Sequence, residues 1–534
     1  MSRTTKQLVN IPEDKGVVTK AAGNKREKYV YKQTRFYRNA DGKPRNDAVI
    51  IGKFDPSSGK MHPNTNYFEL YNVHLEYANA IVQDYGYTYL LLRCARDMGI
   101  YECLESAFGV VAMDILVMAA YIIREGNSMD AIDDWQVRNY FPDYDKLLNS
   151  KSTSRIFENL TYEQRVKFLK KWVQKSLTNG TVCYDVTSIS SYSQEMVSVE
   201  RGYNRDGEDL AQFNLGMFCD EVSKTPLYYD RYSGSLTDRT NLSSVLANAK
   251  SVGINKVKMV LDGGFWSEDA MRNLDELCEA FSIGMPATLK EAEKAIAESG
   301  QNIAQYVNEL SNHRTDCIQK ETEINRLKGK ILLYFDAQNQ VTQCKDLSEY
   351  IERLKAELLK LKRYPKGKLS RFKPYFKITR HTADSGFDFE VDLEKIEELR
   401  KRKGYFLIFS TDATGTPDDI LDYYRNKDAD EKIFAQIKVD MDGSRIRTHN
   451  EITTDGKTFV TFIACVLRSY MMRKLTSYLQ ANSTSMKKTF SQLSNIVTIS
   501  VNGEPMRLIQ ALTKKQKGIL NAFDALDDFE ATFK

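Results

Sequence analysis

Residues 256–289 read KVKMVLDGGFWSEDAMRNLDELCEAFSIGMPATL. An apolar run ends at Asp262, a Gly-Gly turn follows, SEDAMRNLDELCEAF has apolar residues at helical spacing, and SIGMPATL is again strand-like. The stretch therefore reads strand, helix, strand. Upstream, NGTVCYDVTSISS (179–191) is a turn and a β run, and FNLGMFCD (213–220) and TPLYYDRYSG (225–234) are two more short runs split by a turn. With a helix expected over 239–252, hairpin strands pass into alternating helix and strand, the pattern of a mixed α/β sheet. Downstream, residues 288–403 break the rhythm. They are long, charged and mostly helical by pattern, with LSEYIERLKAELLKLKRYPKGKLSRFKPYFKITR (347–380) at their heart, and read as an insertion. The strand GYFLIFSTD (404–412) resumes the sheet, and a helix is expected from 416 to 440, with Pro417 and two Asp in its first turn as the helix dipole favours.

Working outward, residues 28–53 read as a hairpin: Tyr29 and Tyr31 alternate on one side of a polar NADGKPRND turn and AVIIG lies on the other. Residues 54–76 are loop-like, and 77–176 are helical by pattern, as in YLLLRCARDMGIYECLESAF and AMDILVMAAYIIREG. TFVTFIACVLRSYMM lies in a buried helix expected over 455–480, and the tail holds strand NIVTISVNG and helix TKKQKGILNAFDAL. The resulting division is an N-terminal hairpin and basic arm (1–76), a helical region able to dock on DNA (77–176), an α/β core (177–287 with 404–440), the insertion (288–403) and a C-terminal helical region (441–534).

The 534 residues are 42% hydrophobic, 28% charged and 11% aromatic, an ordinary globular composition with ample core material. Net charge is only +4, but it is uneven: residues 1–50 hold 12 Lys/Arg against 5 Asp/Glu, and 351–380 hold 11 against 2. Two basic zones in a near-neutral chain fit an anionic polymer partner. The eight Cys form no C-x-x-C pair and the five His are scattered, so neither a structural zinc site nor a disulfide framework is implied; Cys183 and Cys219 read as core thiols. The start MSRTTKQLVNIPEDK has no apolar signal region, and no run of 18 apolar residues is seen, so a cytoplasmic location and no membrane partner are expected.

Asp185 ends an apolar run in CYDVTS, as Asp262 does in VKMVLDGG. On strands of one sheet, two such carboxylates can share hard divalent ions, and Mg²⁺ is commonly held by one or two carboxylates plus substrate phosphate. In the helix expected over 416–440, Tyr424, Lys427, Glu431 and Lys438 stand at offsets 0, 3, 7 and 14. At about 100° per residue they span an arc of roughly 60°, one face carrying a hydroxyl, two cations and a carboxylate. Asp428 shares the arc and is a rival ligand.

The spacing Tyr424-x2-Lys427-x3-Glu431-x6-Lys438 resembles the Y-x2-R-x3-E-x6-K signature of a large group of bacterial insertion-sequence transposases. GYNRDGEDLAQFNLGMFCD, TPLYYDRYSGSLTDRTNL and VLDGGFWSEDAMRNL resemble that group's core in order and spacing, over about 177–287 and 404–440. The resemblance implies an RNase H-like catalytic core with a D, D, E triad of Asp185, Asp262 and Glu431, which decides between Glu431 and Asp428, and a family insertion at 288–403. The group's usual Arg is Lys427 here, which keeps the charge but not the bidentate grip on phosphate.

The implied activity is that of a DDE transposase. It binds terminal inverted repeats, cuts DNA and joins 3′-OH ends to target DNA with two Mg²⁺ ions, Mn²⁺ substituting. DNA is then the partner and a homodimer the expected state of the synaptic complex. Tyr424, Lys427 and Lys438 are the expected DNA contacts beside the triad, and Arg363, Lys366, Lys368, Arg371 and Lys373 those of the insertion, where aromatics interleave with cations. Tyr364, Tyr375 and Phe376 are expected to be able to stack on a flipped base. The competing readings are a related metal-dependent nuclease and a non-catalytic DNA-binding protein descended from a transposase.

Overall fold

The run TVCYDVTSIS forms strand β1 (Thr181–Ser190), in which Asp185 alone is not fully buried. A strand so covered on both faces belongs in the middle of a sheet. It lies in an eight-stranded sheet with β2 (Gln212–Asp220), β3 (Pro226–Ser233), β4 (Lys258–Leu261), β5 (Ala280–Met285), β6 (Asp316–Ile324), β7 (Leu327–Phe335) and β8 (Tyr405–Ser410). The order is β6-β7-β8-β5-β4-β1-β2-β3. β4 runs parallel to β1 and β5, and every other neighbouring pair is antiparallel. The mixed α/β sheet expected from the sequence is therefore present.

The computed structural model describes all residues except 1–7, 22–26, 40, 72–79, 179, 300–301, 312–314, 382–385, 502–505 and 534, and except the side chains of 428–430. The chain divides into two compact units, Leu169–Ala435 and a second made of Met1–Phe168 with Gln436–Lys534.

In the unit Leu169–Ala435, helix α1 (Asp238–Ser251) joins β3 to β4 and α2 (Glu268–Leu277) joins β4 to β5. α1 buries Leu242, Val245, Leu246 and Ala249, an i, i+3, i+4, i+7 stripe. Thr237 caps it by accepting from the Thr240 amide, and Ser267 caps α2 by accepting from that of Ala270. After β8, Thr416 and Asp419 form a capping box with Pro417 in the first turn, and α3 (Pro417–Asn426) begins there. Cys183 and Cys219 face each other in register across β1 and β2, buried and unbridged.

Two expectations are corrected here. Residues 288–403 are not largely helical throughout: helix Ala337–Lys360 is there, but β6 and β7 add a hairpin to the main sheet, and Phe376–Arg380 pairs with Phe387–Val391 in a second hairpin. The reason lies in β7, whose KILLYF run is buried on both faces against β6 and β8. Nor is 416–440 one helix. α3 stops at Asn426 with Lys427 as its C-cap, α4 spans Asp428–Ala435, and Gln436–Asp440 is a π-helical turn. A π turn carries more residues than an α turn, so the phase that put Lys438 on the face of Tyr424 is lost.

In the other unit, strands Val17–Ala21, Lys28–Arg38, Pro44–Phe54 and Met61–Pro63 form an antiparallel sheet, with Val30, Ile51 and Met61 as its small core. A 31-residue helix, Glu451–Ala481, is buried almost continuously from Thr458 to Ser469, as an apolar core helix must be. Helices Gly86–Asp97, Ala112–Glu125 and Ser150–Asn159 pack against it. By length and mean hydropathy Ile100–Glu125 could cross a membrane, although Asp114 interrupts its apolar run, and most of its apolar window is buried inside the protein.

Candidate functional site

β1 and β4 pair in parallel up to Tyr184 and Leu261. The next residue on each strand is an aspartate, Asp185 and Asp262. One register step thus sets two carboxylates side by side on adjacent strands. Asp262 follows directly after β4, as the sequence suggested. Asp185 sits mid-strand rather than at a strand end, since β1 continues to Ser190 along β2. It ends only the β1–β4 pairing.

The surroundings hold both groups in place. Asp262 Oδ1 accepts from the Gly263 amide at 2.7 Å and from the Tyr424 hydroxyl at 3.1 Å. The Tyr424 ring packs on a cluster of Leu310, Cys317, Leu332, Tyr334, Ile408, Ile420 and Leu421, so strands of the insertion help to aim its hydroxyl. Burial pushes the Asp185 carboxyl up to about 6, with Asp262 adding to the rise, while Lys427 and Arg205 oppose it. Lys427 is a buried cation at the end of α3, its Nζ 5.9 Å from the Tyr424 ring centroid. Arg205 donates to Ser188 Oγ at 3.2 Å and pairs with Asp238 at the start of α1.

Glu431 stands apart. Its side chain is 65% exposed, and its Oε1 lies 3.7 Å from Lys427 Nζ. Lys438 falls in the other unit, and Asp428 lies outside the described side chains. Among the described residues, no three His, Cys, Asp or Glu side chains converge closely enough to hold a metal ion. The donor chemistry of Asp185 and Asp262 fits a hard divalent ion, since both are carboxylates and Asp262 Oδ2 is not the oxygen engaged by Tyr424. Among the described side chains, Asp185 and Asp262 are not joined by a third carboxylate.

Within the insertion, Arg363, Lys366, Lys368, Arg371 and Lys373 are all exposed, flanking a core that contains Phe372. Arg371 pairs with Glu357 at 3.1 Å. Phe376 is 1% exposed and packed in that core, so it is not available to a base. Tyr364 and Tyr375 are half-buried, and Arg380 lies over the Tyr364 ring at 5.8 Å. Arg205 was missed as a site residue, although its segment GYNRDGEDL was noted. Nothing local ties it to Asp185; only the loop that carries it back to Ser188 does.

No known protein family and no curated protein matches the chain. Among solved structures it is similar to a piggyBac transposase synaptic complex with hairpin DNA, at 12% identity and a TM-score of 0.34, over 80% of this chain and 71% of that chain.

Proposed function

We propose that the chain is a DNA transposase of the DDE type, which cuts DNA at the terminal inverted repeats of its insertion sequence and joins the 3′-OH ends to target DNA. The observation that supports this best is the register step that sets Asp185 beside Asp262 with Tyr424 and Lys427 against them. An antiparallel run β3-β2-β1 continued by parallel β4 and β5 is consistent with an RNase H-like core, and the insertion enters after β5, where the resemblance expects it.

In this reading Asp185 and Asp262 hold divalent cations, Mg²⁺ or Mn²⁺, and Glu431 completes the set. Bound there, such ions lower the pKa of an attacking water or 3′-OH and stabilise the departing 3′ oxygen. Tyr424 fixes the rotamer of Asp262 by donating to Oδ1. Lys427 offsets the charge of the carboxylates and, in this reading, takes the place of the phosphate-contacting Arg of the signature. Two copies of the chain would hold two element ends.

The test is incubation of the full chain with its own flanking DNA and Mg²⁺, with products read on a denaturing gel. Asp185→Asn, Asp262→Asn and Glu431→Gln should each abolish cleavage and leave DNA binding intact. Full cleavage by any of the three sinks the triad. Cleavage without joining of pre-cut ends to target favours a related nuclease. The outward, Lys427-paired Glu431 favours the non-catalytic reading, and that reading stands if the wild-type chain binds DNA but never cuts it.

A further inference from the structure

Strands Lys28–Arg38 and Pro44–Phe54 pair along their length, but only one end of this ribbon is covered. Val30, Ile51 and Met61 form a core at the near end. Beyond the register shift between Gln33 and Arg35 the pattern changes, and residues 34–38 and 44–48 are all exposed. Phe36 is 70% exposed and Tyr37 43%. Arg35 pairs with Asp47, Phe36 with Asn46, Tyr37 with Arg45 and Arg38 with Pro44. By strand alternation, Arg35, Tyr37 and Arg45 share one face, and Phe36 and Arg38 share the other. Each face carries an aromatic ring and arginine, and the Arg35 guanidinium lies 5.7 Å from the Tyr37 centroid.

The tip is braced rather than loose. Asn39 accepts from the Lys43 amide at 2.9 Å, and Arg38 Nη1 donates to the Gly42 carbonyl at 2.8 Å. Over 34–47 the charge is four Lys/Arg against Asp41 and Asp47. Five exposed residues per strand extend about 17 Å at strand rise. A two-stranded ribbon is of a size that the major groove of B-DNA, about 12 Å wide, admits. The Phe36 ring is left mostly uncovered within the described chain, and a two-stranded ribbon is marginal by itself. Arginines on both faces, with rings beside them, match phosphates and base edges together.

We propose that this exposed ribbon end is a duplex-DNA-binding arm. The proposal rests on the reading of the protein as one that acts on DNA, and assigns to that function an element outside the unit that carries Asp185 and Asp262. The test measures binding of the full chain to a labelled mixed-sequence duplex by fluorescence anisotropy over a range of salt. Arg35→Gln, Arg38→Gln and Arg45→Gln combined should lower the slope of log affinity against log salt by about 2 to 3, and affinity on the order of ten-fold. Phe36→Ala should lower affinity several-fold with the slope unchanged. Thermal unfolding should match the wild type in both, because these side chains are exposed. Wild-type binding with unchanged affinity and slope in both variants overturns the arm and leaves the function standing. So does loss of self-association with DNA binding intact, which would mark a protein-docking ribbon. Failure of the wild type to bind duplex at all overturns both.

Discussion

A methyl group on Gly284 would stand 2.4 Å from the Tyr424 hydroxyl and 2.8 Å from the Gly263 amide nitrogen, the two groups that donate to Asp262. Gly284→Ala should therefore move Tyr424 off the carboxylate and destabilise its unit by about 1–3 kcal/mol through overpacking. Tyr424→Phe removes one hydrogen bond to a carboxylate, worth about 1.5–3 kcal/mol, without that crowding. If Tyr424 orients Asp262, both lower the single-turnover cleavage rate, and Gly284→Ala lowers it more; a Gly284→Ala enzyme with wild-type rate and melting temperature would remove the constraint. At this scale the placing of Asp185 and Asp262 on neighbouring strands was legible, although only Asp262 follows the end of its strand and Asp185 lies within β1. The partners of Glu431 were not legible. Helical spacing placed it with Tyr424, but it took the fold to show Lys427 buried beside Asp185 and Glu431 turned outward.

Among the elements, the long helix Glu451–Ala481 crosses Ser150–Asn159 at Gly456, where an added Cβ would lie 2.1 Å from the Phe157 carbonyl oxygen. Backbone cannot yield as a side-chain tip can, so Gly456→Ala should cost a few kcal/mol or more in urea unfolding, about the upper range for overpacking. Its neighbour Lys457 donates to the Arg447 carbonyl at 3.3 Å, and burial pushes its ammonium down to about 7, with Arg447 adding to the fall and Asp130 and Asp442 opposing it. The unfolded chain then binds the extra proton between pH 7 and the ordinary lysine range, so this residue's contribution to stability rises with pH across that window. Lys457→Met should stabilise most near pH 6 and progressively less by pH 9; an advantage independent of pH would show that the ammonium is not held down by burial. Element by element, the strand-helix-strand rhythm of 256–289 and the helix over 239–252, observed at Asp238–Ser251, were readable from apolar spacing. The hairpin β6–β7 was not, because its partner β8 begins seventy residues after β7 ends, with helix Ala337–Lys360 between.

For the whole molecule, a net charge of only +4 conceals two basic zones, so affinity for DNA should depend on salt more steeply than the net charge suggests. Replacing Lys366, Lys368 and Lys373 by Ala should reduce the salt slope by up to about 0.9 per lost phosphate contact. Arg371 should contribute less, being paired with Glu357. An unchanged slope would leave the insertion a solvated surface. What the amino-acid sequence determined by itself is what depends on neighbours close in the chain: strands and helices from apolar period, caps such as Thr416 and Pro417, and the charge of each zone. What the tertiary structure alone decided is which strands pair and which side chains meet. Parallel pairing of β4 with β1 brings Asp262 beside Asp185 from 77 positions away. The break at Lys427 and the π turn at Gln436–Asp440 undo a face that regular helix geometry would have kept. The reason is physical: local spacing is set by bonded geometry, whereas pairing and burial are set by which distant apolar surfaces exclude water together.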